Sequence, residues 1–417
     1  MAAWALVWRP WRSSEQRGAP LPADVWAMSG VALCVALGFG VVAPAIPLFA
    51  RQFGVDATAA GAVVSAFALM RLVSGPLAGR LVDRLGERLA LMLGLGVVAV
   101  SSLLAGLAAN YPQLLVLRGV GGVGSAVFGV AAVSLVLKVA TNRTRGQAMS
   151  VYRSGFLVGG IVGPALGGAA LGISLRAPFF LYAGTLVLAA VVAMVYVGRA
   201  ERRRPLADSE PAPVPEDPDP GPTFREVLRT SQYQVALMAN LAVGLALFGL
   251  RSAVVPLYFV EVLDTPASWV AFAFLASTVV QTALMLPAGR WSDTAGRRPA
   301  LLVGVAGSAA GMVLLAVSDD LVVALVAMAV FGAGSAFLGS VPAALVGDVA
   351  GRRSGNVVAI FNMASDLGAV VGPVLAGLLV DHGSYAAAFF LGAGVIALTG
   401  VLGLRLPAGA PASDSDG

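Results

Sequence analysis

Gly79-Arg80-Leu81-Val82-Asp83-Arg84-Leu85-Gly86-Glu87-Arg88 returns 210 residues later as Gly289-Arg290-Trp291-Ser292-Asp293-Thr294-Ala295-Gly296-Arg297-Arg298, with the glycines, the aspartate and the closing arginine in the same places. Two further stretches keep the register. Gly122-Val123-Gly124-Ser125-Ala126 returns at the same offset as Gly332-Ala333-Gly334-Ser335-Ala336, and Gly159-Gly160-Ile161-Val162-Gly163-Pro164 returns 209 residues later as Gly368-Ala369-Val370-Val371-Gly372-Pro373. Three repeats in one order imply a duplicated unit, and the sequence between them shows what that unit is.

Hydrophobic residues make up 58% of the 417 and charged residues 12%, about half the ~25% charged content of a soluble domain. Apolar runs of about 20 residues recur along the whole chain, each long enough to cross a hydrocarbon core of about 30 Å as a helix. Runs such as Ala90 to Ala109 and Phe179 to Val197 do not alternate as barrel strands must. The predicted fold is therefore all-α and membrane-spanning. Six spans are expected over 25–49, 58–79, 89–109, 113–137, 148–172 and 178–198, and six over 233–259, 269–288, 300–317, 321–346, 357–380 and 385–404. They divide the chain into a tail (1–23), a six-helix bundle (24–198), a linker (199–231), a second bundle (232–405) and a short tail (406–417). Pro44, Pro47 and Pro256 are expected to loosen the outer ends of spans 1 and 7.

Of the 27 Lys and Arg residues, 21 fall on one side of this topology and only Arg51 and Arg176 on the other. The positive-inside rule then puts both termini and the linker in the cytoplasm of a multi-pass cell-membrane protein. Trp4, Trp8 and Trp11 alternate with Arg9, Arg12 and Arg17, which suits an interfacial tail, and the cleavable pattern of a signal peptide is missing. The linker is rich in Pro, Asp and Glu and cannot bury a core, with a short surface helix expected over 223–229. The single cysteine, Cys34, is read as a packing residue, and the single histidine, His382, as an ordinary loop residue beside Asp381. Neither a metal site nor a nucleophilic dyad is indicated. No paired carboxylates or nucleotide-binding glycine-lysine loop suggest an enzyme, and nothing points to nucleic acid.

With these motifs the chain resembles the major facilitator superfamily, and within it the twelve-span drug:proton antiporters. The cytoplasmic-gate signature of that family is matched by Gly79, Leu81, Asp83, Arg84, Gly86 and Arg88, with Glu87 where a basic residue is usual, and repeated at Gly289, Asp293, Gly296, Arg297 and Arg298. Arg118-Gly-Val-Gly-Gly122 in span 4 is similar to a motif linked to proton transfer, and the second half carries Met328 in place of Arg118. Gly159, Gly163, Pro164, Gly167 and Gly168 in span 5 are similar to the antiporter signature, with Ser150 at its first glycine. The resemblance implies secondary active transport by alternating access, with the proton gradient as energy source, no cofactor and a monomeric state. Its substrate, a small organic compound or drug, would be exported. Proton-coupled uptake is the alternative, followed by a non-transporting sensor or a membrane-embedded enzyme.

Physical chemistry adds candidate residues. Four arginines, Arg71, Arg118, Arg153 and Arg251, fall inside spans, against one deep carboxylate, Asp366. Nine residues of helix from Val357 place Asp366 about 13 to 14 Å deep, near the midplane. A buried carboxylate there is the expected proton-coupling group together with Arg118, or else the partner of an arginine on span 4, 5 or 7. Asn362, one turn earlier, is expected to bond Asp366 or the substrate. Asn240, Arg153, Arg251 and Gln281 complete the substrate-pathway candidates. A site near the midplane, lined by spans 1, 4, 5, 7, 8 and 11, is expected.

Overall fold

A computed structural model describes residues 21–140, 144–196, 224–350 and 354–407, and every regular element within them is helical. Trp4, Trp8, Trp11, the acidic and proline-rich part of the expected linker, and residues 408–417 lie outside the described residues. Twelve helices are long and apolar enough to cross a membrane. Spans 1 to 6 are Ala23–Arg51, Ala57–Leu85, Glu87–Gly106, Tyr111–Val139, Arg145–Ile173 and Ala177–Tyr196. Spans 7 to 12 are Ser231–Glu261, Ser268–Ala295, Arg297–Val317, Leu321–Val349, Asn356–His382 and Tyr385–Gly403. A short helix, Phe224–Arg229, precedes span 7.

The repeated decapeptides are not loops. Span 2 stays helical to Leu85 and span 8 to Ala295, so each decapeptide is mainly the last turns of a helix. Hydropathy marks where the apolar stretch stops, whereas helical bonding continues until a residue breaks it. That residue is Gly86 at φ 78° in the first half and Gly296 at φ 101° in the second, and spans 3 and 9 begin at the next position. A side chain is strained at such angles, which accounts for glycine at both turns.

Two spans are interrupted. Span 1 runs helically to Val42, turns at Ala43-Pro44 and resumes over Ala45–Arg51. Span 7 is α-helical over Ser231–Val243, widens into a π-turn over Gly244–Leu250, and breaks again at Val254 before Pro256. A π-turn inserts an extra residue and re-aims the side chains after it, here that of Arg251.

The two halves pack by equivalent pairs. Span 1 lies on spans 5 and 6, span 2 on span 4, and span 3 on spans 4 and 6, while spans 7 to 12 reproduce each pairing. Glycines set the closest approaches. A methyl group on Gly163 would lie 2.6 Å from the Leu37 carbonyl oxygen, and one on Gly167 3.0 Å from that of Val41. Gly159 faces the backbone of Leu33 and Leu37 in the same row, and Gly368 and Gly372 repeat the contact of span 11 on span 7. This backbone-on-backbone packing replaces the hydrophobic drive that lipid does not supply. Ser150, at the row's departure from the family pattern, is exposed and bonds the Gly146 carbonyl oxygen of its own helix, so no close approach is required there. Gly79 and Gly289 differ: a methyl group on either would meet nothing within 4 Å, so these two recurrent glycines make no close helix approach.

Candidate functional site

The halves meet through spans 2 and 11 and through spans 5 and 8. The side of the molecule carrying Gly86 and Gly296 is its basic face, and the side carrying Arg51, Glu261 and Asp381 its distal face. At the distal face Arg51 of span 1 forms a two-pronged ion pair with Glu261 of span 7, its Nε 2.7 Å from Oε1 and its Nη2 3.0 Å from Oε2. These residues are 210 positions apart, equivalent places in the repeat that meet across the pseudo-twofold axis. The Tyr385 hydroxyl donates to Glu261 at 2.5 Å. Asp381 accepts from the Ala57 and Thr58 backbone N–H groups at 2.9 and 2.8 Å and from the Thr58 hydroxyl, at the positive end of span 2. Deeper, Ser65 donates to the Val370 carbonyl, and a methyl on Gly168 would reach the Ala271 side chain at 3.0 Å.

The deepest tie is an ion pair between Arg71 of span 2 and Asp366 of span 11. Asp366 stands 16 residues from the distal end of its helix, about 24 Å at 1.5 Å per residue. The expected pairing with an arginine is thus made, but by Arg71 and not by spans 4, 5 or 7, because span 11 faces span 2. The pair is partly open, 41% and 26% exposed at the two side chains, so Asp366 is less desolvated than its depth alone suggests. Beyond it toward the basic face, the named ties between the halves cease. On that side a methyl group added to Gly75, Gly146, Gly289 or Gly339 would meet nothing within 4 Å.

Asn362 is exposed one turn below Asp366 and forms no hydrogen bond to it. Gln281 lies three residues from Thr278 on the same side of span 8, half-buried. Arg153 is exposed on span 5. Asn240 makes a tie within the second half: its amide donates to the Phe361 carbonyl at 2.5 Å and fastens span 7 to span 11.

Two arginines sit deeper. Arg118 is 3% exposed, its guanidinium carbon 4.5 Å above the Phe67 ring. Arg251 is 9% exposed and lies 4.4 Å above the Phe274 ring, with Nη2 donating to the Thr278 hydroxyl at 2.9 Å and to the Phe274 carbonyl at 3.3 Å.

On the basic face the duplicated motifs differ in their charges. Arg297 bonds Asp348 of span 10 at 3.0 Å, the Ser292 hydroxyl at 3.1 Å, and Asp293. At the equivalent positions of the first half, Glu87 bonds Lys138 of span 4 at 3.0 Å. The pair has been kept with its signs reversed. An acidic Glu87 cannot hold Asp83 as Arg297 holds Asp293, and Asp83 stands exposed with no ion-pair partner among the described residues. Arg84 and Arg298 lie beside these pairs, and Arg88 donates to the Met194 carbonyl at 3.0 Å.

Sequence patterns alone do not single out Asp381, Glu261 or Tyr385. The available signal is the repeat itself, which sets Arg51 and Glu261 at equivalent positions with opposite charges.

Twelve apolar helices arranged as a doubled six-span bundle define a multi-pass membrane protein with the plan of a transporter. The Major Facilitator Superfamily profile matches residues 28–280 and 236–416, and the chain belongs to that family. It is 29% identical over 378 residues to Multidrug resistance protein 2 of Bacillus subtilis (strain 168), covering 89% of this chain and 91% of that protein. Quinolone resistance protein NorA of Staphylococcus aureus (strain MRSA252) is 30% identical over 166 residues, 39% of this chain and 42% of that protein. Among solved structures, a bacterial homologue of the human lysosomal transporter Spinster, in an inward-facing and occupied conformation, superposes with a TM-score of 0.69 at 17% identity, covering 91% of this chain and 94% of that one. The nucleoside transporter NupG superposes at 0.70 with 11% identity, over 91% and 98%.

Proposed function

We propose that the protein is a proton-driven exporter of small organic compounds in the cell membrane, acting as a monomer with its basic face in the cytoplasm. The similarity to Multidrug resistance protein 2 along most of both chains supports export, and the 21 to 2 split of basic residues supports the orientation. In this orientation the side on which no named tie joins the halves faces the cytoplasm, where an exported compound must enter.

The observation that carries the coupling is the Arg71–Asp366 pair, which joins the two halves at the deepest point of their contact. Protonation neutralises Asp366 and removes its attraction for Arg71, freeing spans 2 and 11 to separate. Deprotonation restores the tie. A proton on Asp366 therefore has different energies in the two states of the transporter, which is what coupling requires. Arg118 sits about one turn further toward the distal face: a methyl on Gly122, four residues on, would lie 3.1 Å from the Arg71 backbone nitrogen.

Everted membrane vesicles test the direction. With the interior acidified, a drug-like dye should accumulate inside them against its gradient, and a proton ionophore should abolish this. Accumulation only in right-side-out vesicles with an inward proton gradient would establish uptake instead. For topology, cysteines introduced near residues 210 and 383 after replacement of Cys34 should label from the inside and the outside respectively.

A further inference from the structure

Arg71 has its carboxylate, but Arg118 and Arg251 do not: among the described residues no Asp or Glu lies within ion-pair distance of either. In both, the Nε is buried without a hydrogen-bond partner. The aromatic faces beneath them supply about 2 kcal/mol at best when desolvated, against an effective penalty of several kcal/mol for burying each ion. Two buried positive charges are thus left short of an anion.

Their placement says where that anion comes from. Arg251 comes directly after the π-turn of span 7 and is held by Thr278, whose methyl would lie 4.0 Å from a methyl on Gly160 of the opposite half. It therefore borders the interface between the halves. Arg118 stands about a turn beyond the Arg71–Asp366 tie, in the other half.

We infer that the transported compound is an organic anion, a carboxylate or sulfonate, whose charged group is bound where the two halves meet by Arg251, with Arg118 as the second unpaired charge. This rests on the transport reading above and narrows its substrate class. A guanidinium presents paired N–H groups that match a carboxylate or sulfonate. An organic cation entering here meets uncompensated positive charge, which selects against it.

The test is binding to the purified full chain in phosphatidylcholine nanodiscs at fixed pH with no proton gradient, read by fluorescence polarisation. Fluorescein, an aromatic carboxylate, is compared with ethidium, an aromatic cation. Fluorescein should bind at least tenfold more tightly, and benzoate should displace it where equimolar chloride does not. Arg251→Gln should weaken fluorescein at least tenfold, and Arg251→Lys should recover part of the loss. Should Arg251→Gln fail to elute as a folded protein, Arg118→Gln and the wild-type comparison of the two dyes decide the matter. Ethidium binding as tightly as fluorescein, chloride displacing as well as benzoate, or fluorescein affinity unchanged in both folded glutamine variants would overturn the inference. Because no gradient is used, failure here leaves proton-driven export standing. Fluorescein bound as expected by a protein that fails in everted vesicles would instead overturn the export reading alone.

Discussion

A methyl group at Gly163 has nowhere to go, whereas one at Gly79 has open space. Gly163→Ala forces spans 1 and 5 apart and should destabilise the detergent-solubilised protein by about 1–3 kcal/mol, seen as a clear fall in its thermal unfolding temperature. Gly86→Ala should cost about 1–2 kcal/mol because its φ is positive. Gly79→Ala should leave the unfolding temperature unchanged, although all three glycines belong to recurrent motifs; a fall as large as that of Gly86→Ala would contradict the open space seen around it. Sequence shows which glycines recur but not which serve packing, because that depends on the neighbour opposite. The same holds for charge. The depth of Asp366 is legible from helix rise alone, while its partner requires knowing that spans 2 and 11 face each other.

Between elements, the sign-reversed pairs Glu87–Lys138 and Arg297–Asp348 make a sharper test. Both are partly exposed, so each contributes about 0–1 kcal/mol, and their importance lies in what they leave free. Arg297 occupies Asp293, and Glu87 leaves Asp83 available. The family reading of this motif, a latch closing the basic face in the opposite state, needs a carboxylate unengaged in the state open to that face. Asp83→Asn should then preserve insertion but raise the reactivity of cysteines placed between the two halves on the basic-face side. Glu87→Arg with Lys138→Asp recreates the second-half arrangement and should capture Asp83, producing the same shift while Asp83 remains present. Lost expression with unchanged reactivity would mean the motif is purely structural. These elements are readable as repeats. The π-turn of span 7 is not, since Gly244–Leu250 has the same apolar composition as an ordinary helix.

In the whole molecule, the halves are joined at the distal face by charged contacts that all must break if they are to part there. Glu261→Gln with Asp381→Asn weakens the pair to Arg51 and the cap on span 2 together. A cysteine at Gly383, in a protein lacking Cys34, should then react faster with a membrane-impermeant maleimide; an unchanged rate would mean these contacts do not govern closure. The doubled six-span plan is legible because lipid forces each span to declare itself as an apolar run and duplication repeats its punctuation. Which face is closed is not, because one sequence encodes both states of an alternating-access cycle. Proton-driven transport by this chain stands or falls with the coupling role of Asp366, and Asp366→Asn probes that role while keeping size and hydrogen bonding. In proteoliposomes, the variant should lose uphill transport driven by a proton gradient and keep downhill exchange of the same compound. Uphill transport retained with the wild-type pH dependence would show that Asp366 does not carry the proton.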